Sequence, residues 1–206
     1  MKRLRILLDL RHPLACLALQ PALALADSLS DGADWLPLEV SPLKPPGIPK
    51  DGDQRGVRHF RYRAEAIARE IETYSRIQGI ILREPYRNGS VEAGHLGWLW
   101  VREREPERLT AYLQALFRGY WSLELDASDP EQVASLVDSF DADGASFQSW
   151  VVGEGPKVAA ATQSELRDEG LFRVPGFVVD GEPFYGRQHI PMLRWILDGR
   201  SGPIPI

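Results

Sequence analysis

The fold turns on the stretch Leu171-Phe172-Arg173-Val174-Pro175-Gly176-Phe177-Val178-Val179-Asp180-Gly181-Glu182. Gly176 to Val179 is a short run of apolar, strand-forming residues, and Pro183-Phe184-Tyr185 is a second. Between them stands Asp180-Gly181-Glu182. Its Asp-Gly pair suits a tight hairpin turn, where the central residues take positive φ. A β-hairpin is therefore predicted, closed by a helix over Ile190 to Leu197. On composition alone, Pro175 reads as a proline that opens a strand.

Working back from the hairpin, the N-terminal end supplies strands of a different kind. Ile6-Leu7-Leu8-Asp9-Leu10 is the apolar run expected of a buried parallel strand. Pro13 suits the first turn of a helix. The helix then continues from Leu14 to Leu29, with Pro21 predicted to kink it. Trp35-Leu36-Pro37-Leu38-Glu39-Val40 alternates weakly and fits a second strand near a sheet edge, where proline is tolerated. Strand, helix and strand make one right-handed crossover unit.

The middle of the chain is helical by period. Pro42 to Asp53 is a proline- and glycine-rich loop. Helices are predicted over Tyr62 to Gln78, Val91 to Arg104 and Pro106 to Trp121, the last with Leu109, Tyr112, Leu113, Leu116, Phe117 and Tyr120 on one stripe. Pro130 to Phe140 is expected to start behind a capping box of Ser128 and Glu131. Thr162 and Glu165 repeat that spacing before a helix ending near Gly170. The basic run Arg55, Arg58, His59, Arg61 and Arg63 reads as the solvated start of a helix.

Composition narrows the class of function. The 206 residues are 44% apolar and 26% charged, ordinary for a globular chain able to bury a core without disulfides or metals. A net charge of −5 argues against a nucleic-acid binder. With the single cysteine Cys16 there is no internal disulfide and no C-x-x-C pair. His59, His95 and His189 share no metal-ligand spacing and read as surface histidines, so no metal is expected. Met1 to Ala26 resembles a secretory signal, with Lys2, Arg3, Arg5 and Ala24-Leu25-Ala26 before Asp27. Asp9, Arg11 and His12 interrupt its apolar stretch, and the segment serves equally as first strand and helix. No other stretch approaches the ~18 apolar residues of a membrane span. The chain is expected to be cytoplasmic, without a membrane partner.

This order of elements, with the residues around Pro175, resembles the DsbA-like thioredoxin-domain family. Within that family it is most similar to 2-hydroxychromene-2-carboxylate isomerases and kappa-class glutathione transferases. Leu171 to Glu182 resembles the family's Gly-Val-Pro-Thr-Phe-Val-Val-x-Gly segment. Lys44-Pro45-Pro46-Gly47-Ile48-Pro49-Lys50 resembles the kappa-class loop after the second strand. Leu116-Phe117-Arg118-Gly119-Tyr120-Trp121 followed by Asp126 resembles the family's Phe-Arg-Ala-Tyr-Trp helix, and Pro85-Tyr86-Arg87-Asn88 its proline and asparagine. The resemblance implies an α/β thioredoxin-like fold with an all-helical insertion, residues 1–54 and 163–206 forming the core and 55–162 the insertion. It also implies a cis Val174–Pro175 bond, whose exposed backbone holds an extended peptide such as glutathione.

The departures from the family sit at its reactive positions. Where it places cysteine or serine before the proline of the first helix, this chain has His12-Pro13-Leu14-Ala15, so His12 takes the catalytic position. Cys16 falls one residue late and reads as an inert core thiol. After the hairpin, Arg187 and Gln188 replace the serine and aspartate that hold the γ-glutamyl end of glutathione, and Leu43 replaces an asparagine. A histidine at a helix N-terminus is biased toward its neutral form, as donor or base; the bland alternative is a relic that caps the helix. The resemblance implies glutathione as cofactor and a small organic substrate. His12 would be catalytic, with Pro13, Lys44, Asn88, Val174, Pro175, Arg187 and Gln188 around the ligand, and it allows a homodimer. A non-catalytic binding module on the same fold is the alternative. A thiol-disulfide oxidoreductase is disfavoured by the missing C-x-x-C.

Overall fold

The computed structural model describes residues 3–48 and 55–205. The end of the proline-rich loop, residues 49–53, lies outside them. Three segments build the sheet from the N-terminus: β1 (Leu4–Leu8), α1 (Pro13–Ala26) and β2 (Asp34–Pro37). Then come helices α2 (Arg55–Gln78), α3 (Glu92–Arg104), α4 (Leu109–Ser122), α5 (Pro130–Asp138), α6 (Gly144–Val152) and α7 (Gly155–Asp168). The hairpin β3 (Gly176–Val179) and β4 (Glu182–Tyr185), a 3-10 turn over Arg187–His189 and α8 (Ile190–Leu197) complete the chain.

The sheet runs β2-β1-β3-β4, with β1 parallel to β2 and antiparallel to β3. Pro37 lies on the edge strand β2, where no further strand needs its missing N–H. Strand alternation divides the core. Leu4, Ile6, Leu8, Trp35, Phe177 and Val179 face the larger cluster, which takes in α1, α3, α4 and α8. Leu7, Leu36 and Val178 point the other way, onto Leu166 of α7 and Leu171. On that second side Arg5 pairs with Glu169, just beyond α7. The hairpin turns at Asp180 and Gly181 with φ of 50° and 90°, the doubly positive geometry that Asp-Gly favours.

α1 is apolar on nearly every side and almost wholly buried. Pro21 lies inside it without ending it. A proline at that position removes the N–H that would bond the carbonyl of Leu17. The side-chain amide of Gln78, at the end of α2, donates to that carbonyl at 3.4 Å instead.

Two capping expectations are corrected. The cap of α5 is Asp129, whose carboxylate accepts from the Glu131 N–H at 2.9 Å; Ser128 is engaged instead by Asp126. Thr162 caps nothing, because α7 already begins at Gly155 and the Thr162 hydroxyl donates to the Val158 carbonyl within the helix. Helix α6, unmarked in the sequence reading, starts at Asp143, whose carboxylate accepts from the Ser146 N–H.

α3 is the centre of the helical block. Its residues from Ala93 to Val101 are all buried. The Trp98 indole donates to the Trp35 carbonyl at 3.1 Å, and Arg102 forks onto both oxygens of Asp34 at 2.7 and 2.9 Å. Gly97 lets α4 and α5 approach closely, since a Cβ there would stand 2.3 Å from the Tyr112 hydroxyl and 2.7 Å from Val133.

Candidate functional site

The loop from Asp9 to His12 joins the end of β1 to the start of α1. Asp9 is buried, 1% exposed, and organises this loop. Its Oδ1 accepts from the backbone N–H of Arg11 at 2.9 Å, and its Oδ2 from that of Val40 at 2.9 Å. The first bond closes a local turn; the second ties the end of β1 to the chain leaving β2. The Arg11 guanidinium returns to Asp9 at 3.1 Å and donates to the Val40 carbonyl at 3.2 Å. Burial acts to raise the Asp9 pKa, but His95, Arg11 and the Val40 N–H outweigh it and hold the carboxyl below its ordinary value.

His95 locks the loop from the insertion side. The sequence reading of a surface histidine fails here, because His95 is 3% exposed. Its Nε2 accepts from the Leu10 N–H at 3.3 Å and lies 3.6 Å from Asp9 Oδ1. Its Nδ1 lies 3.6 Å from Glu39 Oε1. Chiefly through His95, and against burial, Glu39 is held below the usual carboxylate range. The sequence carried two signals for this cluster: a charged residue ending the apolar run of β1, and a histidine inside the unbroken apolar stretch of α3.

His12 is the N-cap residue of α1, but its side chain makes no capping bond. Its Nδ1 is buried without a hydrogen-bond partner. Burial pushes its pKa below the ordinary 6.5 against the pull of Asp9, which leaves the ring neutral at pH 7. Pro13 follows at the first helical position, buried. Cys16, one turn further along α1, is 6% exposed, and burial pushes its thiol up to about 12.

The opposite strand brings Val174 and Pro175 to the same end of the sheet. Gly176 pairs with Leu7, so Pro175 precedes β3 where β1 runs out toward His12. The Val174–Pro175 peptide is cis. The Pro175 carbonyl accepts from the Gly186 N–H at 2.8 Å, and Val174 packs on the Leu7–Leu36–Val178 cluster.

The other candidate residues are placed differently. Arg187 is engaged by α2: it donates to Glu70 at 2.9 Å and stacks on Tyr74, its guanidinium 3.3 Å from the ring centre. Gln188 is exposed and donates to the Tyr185 carbonyl. Lys44 lines a cavity with Ile48, Val57 and Phe60, on the side of the loop that faces α2. Asn88 is exposed in the connection between α2 and α3. Among the described residues no group of side chains is arranged to hold a metal ion, and no helix is long and apolar enough to cross a membrane.

Solved structures share this architecture. A 2-hydroxychromene-2-carboxylate isomerase superposes with a TM-score of 0.69 at 14% identity, covering 96% of this chain and 94% of its own. A probable DsbA oxidoreductase from Streptomyces coelicolor gives 0.67 at 21% identity, over 99% of this chain and 93% of its own. The cytosolic disulfide reductase DsbM from Pseudomonas aeruginosa, solved with GSH, gives 0.59 at 16% identity, over 96% and 98%. No curated protein sequence matches the chain. The model of the DSBA-like thioredoxin domain matches residues 35–198, from β2 to the last helix, and the chain belongs to that family.

Proposed function

We propose that the chain is a glutathione-using isomerase or transferase acting on a small organic substrate, with His12 in place of the family's cysteine or serine. The observation that carries this reading is the buried His12 Nδ1 with no partner, at the end of the sheet where Pro175 lies. A buried polar atom with no partner in the protein is a point at which a bound molecule or a water can supply a hydrogen bond. The likeness in fold to an isomerase and to a reductase solved with GSH supports glutathione as the ligand class. In this reading the backbone at Val174 holds the cysteinyl part of glutathione in strand-like fashion. A neutral His12 takes the thiol proton at a ring nitrogen as the sulfur adds to an electrophilic carbon. The proton passes to the carbon that receives the electron pair. After rotation about the bond so freed, His12 takes a proton back from the adduct as the C–S bond breaks and returns it to the departing thiolate. Thiol and ring end as they began, and only the substrate is isomerised.

One observation favours a second reading, a binding module without chemistry. Arg187, the residue placed to meet the γ-glutamyl end, is committed to Glu70 and Tyr74. A thiol-disulfide oxidoreductase fits least, since the one thiol is buried and held protonated.

Calorimetric titration with glutathione and S-methylglutathione separates the two. The enzyme reading expects both to bind. His12→Ala should weaken glutathione more than its S-methyl derivative, because only the free thiol has a proton to exchange with the ring. His12→Gln should restore binding without turnover. No heat with either ligand would leave the binding module as the account of the chain.

A further inference from the structure

Two surfaces of opposite charge belong to separate parts of the fold. The first is the start of α2. From Lys44 to Arg63 the sequence carries six lysines and arginines against two acids, Asp51 and Asp53. Arg55, Arg58 and Arg63 are exposed on α2, which has no acid in its first turn. The second surface is the helical pair of α5 and α6. Eight acids fall between Glu124 and Glu154, and no lysine, arginine or histidine stands from Gly119 to Pro156. Arg108 reaches in from outside to Asp141 at 3.3 Å. Asp129, Asp138 and Asp143 accept from backbone N–H groups, which leaves their charge in place. α2 packs on α1, whereas the acidic pair packs on α3, α4 and α7.

The start of α2 is also apolar on the side that the core covers further along. Val57, Phe60, Ala64, Ile67 and Ile71 recur at helical spacing. Ile71 is buried, and Ala64 and Ile67 are half-buried. Val57 and Phe60, on the same stripe, are 52% and 71% exposed. The stripe that seats α2 therefore runs on past the core. There it lines a cavity of about 450 Å³ together with Pro45 and Ile48, and Ile48 is 85% exposed. On the acidic pair, Val152 at the end of α6 is 86% exposed, close in sequence to the exposed Glu154. An apolar groove beside cations thus has a counterpart, an apolar side chain beside carboxylates.

We propose that the start of α2 docks head to tail onto the α5–α6 pair of a second copy of this chain, Val57 and Phe60 packing at Val152 and the arginines facing the carboxylates. A contact of this size is weak and reversible, and charge complementarity sets its rate and its specificity. Two different surfaces meet, so the contact is heterologous and leads from pairs to longer chains as concentration rises. It involves neither glutathione nor His12.

The test is static light scattering of the full chain at concentrations up to about 1 mM. The average mass should rise with concentration at about 0.01 M salt, where charges act over about 30 Å, and fall to that of one chain at about 1 M, where they act over about 3 Å. Arg58→Glu with Arg63→Glu should remove the rise, and so should Glu131→Lys with Glu154→Lys. All four positions are exposed, and circular dichroism checks that both proteins fold. Mixed in equal amounts at low salt, the two reversed proteins should regain at least the mass of a pair, because the unaltered α2 of one then meets the unaltered acidic pair of the other. Phe60→Ser should weaken association about tenfold, the weight of one buried apolar side chain. A single-chain mass throughout at low salt, a rise that persists at high salt or in both reversed proteins, or a mixture that stays monomeric overturns the proposal. A monomeric chain that instead sediments with phosphatidylglycerol vesicles would assign the start of α2 to an anionic lipid surface.

Discussion

α2 and α3 belong to the same helical block and carry the same 3.6-residue period, yet they are held in opposite ways. In α2 only Ile71 is buried, while Phe60, Tyr62 and Ile77 stand exposed. In α3 the run from Ala93 to Val101 is buried without interruption. α2 is fastened by individual polar links: Gln78 to the carbonyl of Leu17, and Glu70 and Tyr74 to Arg187. α3 is fastened by packing, and it then adds polar bonds that reach into the core at Leu10, Asp34 and Trp35. Packing makes a helix part of the core. Point links only moor one to it.

The sharpest way to break this contrast is to remove bulk from each helix. Trp98→Ala should cost about 4 kcal/mol, because it empties a fully buried site and leaves the Trp35 carbonyl without its donor. Phe60→Ser on α2, at a side chain 71% exposed, should stay within about 0.5 kcal/mol. Urea unfolding of both variants measures the difference. Equal costs would mean that α2 is packed as tightly as α3.

A second test concerns the bond between α3 and the candidate catalytic loop. Asp9→Asn strips the partner from Arg11 and the charge beside His95, and should cost about 3 kcal/mol at pH 7. The sign of the pH effect follows from the direction of the shift. Asp9 is held below its ordinary value of 3.8 in the folded state, so its stabilisation is complete above about pH 4 and is lost as pH falls through the folded value. His12, held below 6.5, adds a separate loss as pH falls from about 6.5, where the unfolded chain takes up a proton first. Stability measured from pH 7 to 3 should therefore decline in two stages. Asp9→Asn should flatten the lower stage, and His12→Gln the upper. An unchanged profile in both variants would contradict the assignment.

The smallest effect belongs to α2. Gln78→Ala leaves the Leu17 carbonyl with no donor and should cost about 1 kcal/mol. Pro21→Ala restores a backbone N–H to that carbonyl, so in its presence Gln78→Ala should cost nearly nothing. A double-mutant cycle with no coupling would show that Gln78 is not what replaces the missing helical bond.

What was legible in the sequence follows the same division. The hairpin at Asp180-Gly181, the closing helix from Ile190 to Leu197 and the edge position of Pro37 could be read because each depends on local turn chemistry or short-range period. His12 could be placed at the start of α1 because Pro13 marks that position. Asp9, His95 and Glu39 could not be joined, because they come from three separate elements and meet only once α3 is seated on the sheet. The commitment of Arg187 to Glu70 was hidden for the same reason. Where a local signal did mislead, as at Ser128 and Thr162, an equally local competitor had won. Asp129 is the nearer cap, and a threonine inside a helix bonds back to its own turn.

The pairing of β1 with β3 has a consequence for how the chain is made. Leu4 to Leu7 find their antiparallel partners only beyond the whole helical block, in Gly176 to Val179. During synthesis β1, α1 and β2 emerge before β3, and one side of β1 then presents a bare apolar strand edge until β3 leaves the ribosome. Every helix of the block must be translated while that edge waits. The nascent chain is thus at its most adhesive between the making of β1 and that of β3, and chaperone capture should concentrate on lengths that end before β3.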